Sequence, residues 1–221
     1  MSDTTIGEIL SISLLSLRVS VTAVALSSAL GLVLGALVAS REFRGRNVLV
    51  TVINTLMGTP PVLLGLLLYL LLSRSGPLGW MGILFTPEAM ILAQFLLTLP
   101  ITTGLTVTAV ESLPRDVREL ISSLRASRVY EALLLLNEAR LNLIGAVLTA
   151  LGRAVSEVGA VIIVGGNIRY QTRVLTTAIV YYTSAGEFDT AIALGAILAV
   201  IYLAVNTVIV LLKLRVSRSV A

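Results

Sequence analysis

Five stretches of this chain are long and apolar enough to cross a bilayer, and the polar residues collect between them. Residues 19–40 run 22 positions without a charge, and residues 10–17 extend them outward past Arg18. Residues 47–73 run 27 positions without a charge, interrupted by Pro60 and Pro61. Residues 89–110 give a third stretch with Pro100 inside, residues 141–168 a fourth, and residues 190–212 a fifth. About 20 apolar residues span the hydrocarbon core, so this pattern predicts five transmembrane helices. Residues 174–186 are also apolar but only 13 long, which predicts a surface or re-entrant piece.

The fourth stretch contains GAVLTALGRAVSEVGAVIIVGGN, residues 145–167, and carries Arg153 and Glu157 in its middle. Each ionisable group at that depth costs about 2.5–3.5 kcal/mol on insertion scales, so such groups face protein or a water path. At 100° per residue, Val147, Leu151, Val155, Val158 and Ile162 share one face of the predicted helix. Gly145, Thr149, Gly152, Ser156 and Gly159 share the other, where another backbone can approach closely. Arg153 and Glu157 stand four apart and can pair. Two roles are open to them: a self-neutralising pair between helices, or groups facing a permeation route or a two-fold interface.

The loops carry the remaining signals. Residues 73–82, SRSGPLGWMG, form a turn, and Trp80 suits a membrane interface. Residues 111–140 are the largest polar insertion. Val117, Leu120, Ile121 and Leu124 recur there at helical spacing, with Arg115, Arg118, Glu119 and Ser122 on the polar side. This predicts a short amphipathic helix that either lies on a leaflet or docks a partner protein. Pro60 and Pro61 must break the backbone ladder of the second stretch, as a packing kink or as a hinge lining a pathway.

Charge sets the expected orientation. With the N-terminus outside and the C-terminus in the cytoplasm, eleven of the sixteen basic residues fall inside, against Arg74, Arg169 and Arg173 outside. The reverse would violate the positive-inside rule. Arg169 and Arg173 are then either solvated loop charges or residues that steer an anion toward the outer mouth.

Composition removes most chemistry. Hydrophobic residues make up 57% and charged ones 13%, against about 25% charged in soluble domains. Mean hydropathy is +0.99. The whole chain, residues 1–221, reads as one integral membrane domain whose first apolar run is retained rather than cleaved as a leader. With no Cys and no His, thiolate or imidazole metal sites, disulfides and His- or Cys-based catalysis are excluded. No phosphate-cradling loop, zinc-protease motif or serine elbow occurs. No cofactor, nucleic acid or enzymatic activity is expected; transport or conduction remains.

The inner loop and the fourth stretch resemble the permease subunits of ATP-binding-cassette importers. Those families carry E-A-A-x-x-x-G, nine residues, then I-x-L-P in a cytoplasmic loop. Glu119 matches the Glu, Leu120 and Ile121 replace the alanines, and Arg125 replaces the Gly. Ala126 and Ser127 follow; Leu135 stands for the Ile, and Asn137 with Glu138 for Leu-Pro. GRAVSEVGAVIIVGGNI (152–168), TRVLTTAIV (172–180), GEFDTAIALGAIL (186–198), TPPVLLGLLLYLLLSRSGPLG (59–79) and LFTPEAMILAQ (84–94) are similar to tungstate-transport permeases. Molybdate and sulfate permeases typically read RAxGEFGA where this chain has RAVSEVGA (153–160).

The resemblance implies an all-α, type I importer bundle in a prokaryotic plasma membrane, working as a homodimer. It implies two cytoplasmic ATPase subunits docked on the 119–127 segment, an external solute-binding protein, and an oxyanion cargo. ATP would be hydrolysed by the partner subunits. The candidate path or interface residues are then Pro60, Pro61, Gly152, Arg153, Ser156, Glu157 and Gly159. A molybdate or sulfate permease, a passive anion channel using Arg153, and a membrane scaffold are the alternatives.

Overall fold

Proline and glycine set most of the helix boundaries. The computed structural model describes residues 6–124 and 126–218, apart from the side chains at 212, 213 and 215–218. Arg125 of the inner-loop motif and the basic groups of Lys213, Arg215 and Arg218 therefore lie outside the described residues. The chain forms α1 (Ile6–Ser40), α2 (Arg46–Met57), α3 (Pro61–Leu72), α4 (Pro87–Glu111), α5 (Arg115–Ser123), α6 (Arg128–Glu138), α7 (Arg140–Val155), α8 (Gly159–Gly165), α9 (Leu175–Ser184) and α10 (Phe188–Arg218). No strand occurs among the described residues. Pro61 and Pro87 occupy first helical turns, where the missing N–H costs nothing. Gly45 precedes α2 at φ 89° and Gly166 ends α8 at φ 72°, both left-handed positions that glycine takes without a Cβ penalty.

Helices α1, α4 and α10 are each long and apolar enough to cross a membrane alone. At 1.5 Å per residue the 35 residues of α1 reach about 52 Å, well beyond a hydrocarbon core of about 30 Å. The count reaches five only if each of two bent pairs forms one span. The break expected at Pro60 and Pro61 in residues 47–73 is present: α2 and α3 meet at 96°, with Gly58, Thr59 and Pro60 between them. The expected continuous helix over 141–168 is corrected: Ser156, Glu157 and Val158 separate α7 from α8. A second sharp bend of 86° separates α6 from α7 at Ala139. Residues 174–186, expected as a surface or re-entrant piece, pack inward on one side only, with Val180, Tyr181 and residues 183–186 exposed. Leu175, Ala178 and Tyr182 of α9 are buried with Ile12, Ala191 and Leu194.

The centre of the bundle is the α1–α4 seam. Small residues let the two backbones approach: a Cβ on Gly31 would run into Thr102 Oγ1, and one on Gly35 would meet the Thr103 carbonyl at 2.6 Å. Hydroxyls close the seam, with Thr98 Oγ1 donating to Ser27 Oγ at 2.9 Å and Thr102 Oγ1 to the Ser27 carbonyl at 2.9 Å. The broken pairs pack around this axis. Leu68 and Leu72 of α3 share one apolar cluster with Ala93 and Leu97 of α4 and Val161 and Val164 of α8.

Candidate functional site

The break between α7 and α8 leaves backbone groups without helical partners, and side chains from three elements supply them. Glu157 Oε1 accepts from the Ala160 N–H at 2.9 Å, so the carboxylate caps α8. Thr176 Oγ1, from α9, donates to the Glu157 carbonyl at 2.9 Å. Gln94 Nε2, from α4, donates to the Ala154 carbonyl at 2.9 Å. Non-helical backbone at membrane depth needs such partners. Glu157 is 4% exposed. Arg153, on the last turn of α7, reaches Glu157 Oε2 only at 4.0 Å and keeps 36% of its side chain exposed. The pair exists, but the carboxylate's closest partner is the backbone.

Gln94 and Thr176 are functional candidates that the sequence reading missed. Gln94 was visible as a lone amide in a charge-free span. Its Oε1 has no protein partner and borders a 20 Å³ pocket lined also by Ser16, Ser20 and Thr176. Gln94→Leu should leave the Ala154 carbonyl with only the Glu157 N–H at 3.2 Å and destabilise the protein by about 0.5–1.5 kcal/mol, read as a lowered Tm of purified protein in detergent.

The two broken pairs meet at their breaks. Pro60 precedes α3 in extended conformation and Pro61 opens it, which aims α3 along α8. There a Cβ on Gly65 would lie 2.8 Å from Ala160 Cα, and one on Gly159 would lie 2.8 Å from Val62 Cγ2 and 3.6 Å from Glu157 Oε1. Pro60, Pro61, Gly159 and Glu157 thus belong to one junction. Gly152 belongs to another: it faces Tyr202 of α10, with Ser156 beside it, across a groove of 420 Å³. Gly145 has nothing within 4 Å of its Cβ position. Gly145, Gly152 and Gly159, expected to share one close-packing face, therefore do not form a continuous one. The buried face of α7 is instead formed by Leu143, Ala146, Ala150, Leu151 and Ala154.

A polar wall runs over the outside of this region. Thr51, Asn54 and Thr55 on α2, Thr108 on α4, and Asn142 and Thr149 on α7 are exposed within mostly apolar helices. Gly104 brings α4 against Asn54 and Met57, and Thr108, one turn on, borders a 300 Å³ groove with Asn142 and Thr149. Helices α2 and α7 therefore flank one polar face of α4. Its hydroxyls and amides can contact a solute without placing a fixed charge in its way.

At one end of the bundle, the amphipathic helix forms as α5. Ile121 is buried and Val117 packs against the cluster of Val110, Leu135 and Leu143. Leu120 and Leu124, at 66% and 58% exposure, point outward, with Glu119 also exposed. Ser127 accepts the Tyr130 N–H and caps α6, and Ala126 is half-buried before it. At the other end, Arg169 donates from Nε and Nη2 to the buried Glu8 at 2.9 and 2.7 Å, bonds that hold its guanidinium pKa above the ordinary arginine value. Arg173 is buried, 3.9 Å from Glu8 and 4.3 Å from the Tyr181 ring centroid. Both candidates for anion steering thus converge on one carboxylate.

Broken, glycine-seamed helices around a capped carboxylate, with an amphipathic helix projecting from one end, are the architecture of a membrane transport subunit. The chain belongs to the family described as the inner membrane component of binding-protein-dependent transport systems, whose model matches residues 31–221. It is 47% identical over 211 residues to a probable anion ABC transporter permease protein of Haloferax volcanii, covering 93% of this chain and 91% of that one. It is 41% identical over 202 residues to the tungstate uptake system permease protein of Peptoclostridium acidaminophilum, with 91% and 89% covered. A sulfate transport system permease protein of Escherichia coli is 32% identical over 201 residues, with 86% and 68% covered.

Proposed function

We propose that this chain is the permease subunit of an ATP-binding-cassette importer for oxyanions, with tungstate as the cargo. The observation that carries this reading is the 41% identity, over nine-tenths of the chain, to a tungstate uptake permease. Two copies face each other, with the N-terminus of each outside and the C-terminus in the cytoplasm. The polar wall on α2, α4 and α7 then lines half of a route closed by the second copy. The threonine hydroxyls of this wall donate to carbonyls of their own helices and would have to turn away to meet a dianion, which suits a route that binds its ion only weakly.

Leu120 and Leu124 of α5 project into a cytoplasmic ATPase subunit, which binds and hydrolyses the nucleotide. A solute-binding protein delivers the anion at the end carrying Arg169 and Arg173. Those two arginines outnumber the one carboxylate between them, Glu8.

Reconstitution of the chain with its ATPase and binding protein tests this. ATP-driven tungstate uptake into vesicles should be outcompeted by unlabelled tungstate more strongly than by molybdate or sulfate. Leu124→Asp should abolish ATP-driven uptake while leaving insertion intact, because a charge on the docking face opposes burial against the partner. Nucleotide-independent anion flux through the chain alone would instead identify a channel.

A further inference from the structure

The docking segment is fastened at both flanks to one short turn of the chain. Helix α5 lies between Glu111, the last residue of α4, and Glu131, in the first turn of α6. Glu131 is 3% exposed and accepts from Arg41 Nε and Nη2 at 3.1 and 2.8 Å. Glu111 accepts from Arg46 Nη2. Arg41 and Arg46 bracket the turn between α1 and α2, five residues apart. Arg46 is itself anchored, with Nε donating to the Val38 carbonyl at 3.1 Å and its side chain only 11% exposed. A polar cleft of 270 Å³ opens among Arg41, Glu131 and the α5 residues Arg115, Arg118, Glu119 and Ser122. Helix α5 therefore has room beside it, and the two ion pairs are its lateral ties.

The continuous route from α5 toward the helix break passes along α6 and α7, and an 86° bend interrupts it at Ala139. A second route starts from the α1–α2 turn and meets a comparable bend of 96° between α2 and α3. Residues 41 and 46 lead directly into α2, which bears Thr51, Asn54 and Thr55 of the polar wall, and then into the α3–α8 junction.

We propose that Arg41 and Arg46 are positioning residues that clamp the two flanks of α5 and pass its displacement to α1 and α2. This rests on the reading of α5 as the ATPase-docking helix. Arg41 grips Glu131 and Arg46 grips Glu111, so a push on α5 moves the α1–α2 turn with it. The pairs do not bind the cargo and do not themselves dock the partner. Their loss uncouples hydrolysis from transport without separating the subunits.

The test uses vesicles containing the full permease, ATPase and binding protein, and reads three quantities: co-purification of the ATPase, ATP hydrolysis, and tungstate taken up per ATP hydrolysed. In the Glu111→Gln/Glu131→Gln double variant, co-purification should persist and hydrolysis should stay within about twofold, while uptake per ATP falls about fivefold or more, the low end of measured coupling between sites. Each single variant should lose less than the double. Arg41→Lys, which keeps the charge, should retain more than half of the ratio that Arg41→Gln loses. An unchanged ratio in the double variant, or equal losses for Arg41→Lys and Arg41→Gln, would overturn the clamp. If the double variant fails to insert, the Arg41 pair of variants decides by the same ratio. If no ATPase co-purifies with the unaltered chain, the assignment of α5 fails, and the clamp fails with it.

Discussion

Glu157→Ala is expected to reduce uptake about tenfold or more, with membrane insertion and ATPase association preserved. The reasoning starts from what the carboxylate touches. It is buried, it accepts the Ala160 N–H at 2.9 Å, and its contact with Arg153 is long at 4.0 Å. Removing it strands a donor at the start of a seven-residue helix, a loss of about 1–2 kcal/mol for a missing cap. A shift of about 1.4 kcal/mol already changes a conformational ratio tenfold. Glu157→Gln keeps an acceptor oxygen in reach of Ala160 and should retain most of the uptake. Arg153→Ala removes only the long 4.0 Å contact and leaves the carboxylate its Ala160 N–H, so its loss should be the smaller one. The expected order of damage is therefore Glu157→Ala first, then Arg153→Ala and Glu157→Gln. Vesicle uptake rates measured side by side check it, and equal losses for Glu157→Gln and Glu157→Ala would return the leading role to the charge.

That ordering also marks how far the sequence reached. Hydropathy located α1, α4 and α10, because about 20 consecutive apolar residues have few alternatives to burial in lipid, but it left α6 inside the polar insertion and set α9 apart as too short. It treated residues 141–168 as unbroken because Ser156, Glu157 and Val158 carry neither glycine nor proline. What breaks the helix is tertiary: Thr176 and Gln94 take the carbonyls, and Glu157 caps its own downstream turn. No periodicity over one segment encodes partners 19 and 60 residues away. The prolines were legible as a break, but the 96° angle follows from α3 packing on α8. The amphipathic helix was legible as well, though only Ile121 and Val117 of its stripe face the core. Leu120 and Leu124 were indistinguishable from them by spacing alone, since all four fit one helical face.

The charged residues divide the same way. Arg153 and Glu157 attracted attention because charge inside an apolar run is rare. Glu8, Glu131 and Glu111 did not, because each sits at the polar end of a helix where charge is ordinary. Yet Glu8 and Glu131 are buried and joined to arginines 161 and 90 residues distant. Burial of a carboxylate at a helix end is decided by whichever element folds back over it, and sequence position carries no trace of that.

Gly65→Leu is expected to abolish uptake and lower Tm, and no change of a neighbouring side chain should rescue it. The Cβ position lies 2.8 Å from Ala160 Cα and 3.2 Å from the Ala160 carbonyl oxygen, so the new side chain meets backbone on the first turn of α8. Overpacking costs about 1–3 kcal/mol when neighbours can shift, and backbone shifts less readily than side chains. Moving that turn also moves the Ala160 N–H away from Glu157, so the substitution breaks the cap from the opposite side. Gly159→Ala provides the contrast. Its Cβ meets Val62 Cγ2 at 2.8 Å, the end of a side chain, with the Val62 backbone farther off at 3.5 Å. Pairing Gly159→Ala with Val62→Ala should therefore restore uptake to near the unaltered rate, whereas pairing Gly65→Leu with Val62→Ala should not. Uptake and Tm of the four variants, measured together, separate a junction held by backbone contact from one held by side-chain fit. A junction held by backbone contact would pass a movement of α3 to α8 with less slack than one held by side-chain fit, and the Gly65–Ala160 approach is the contact these variants probe.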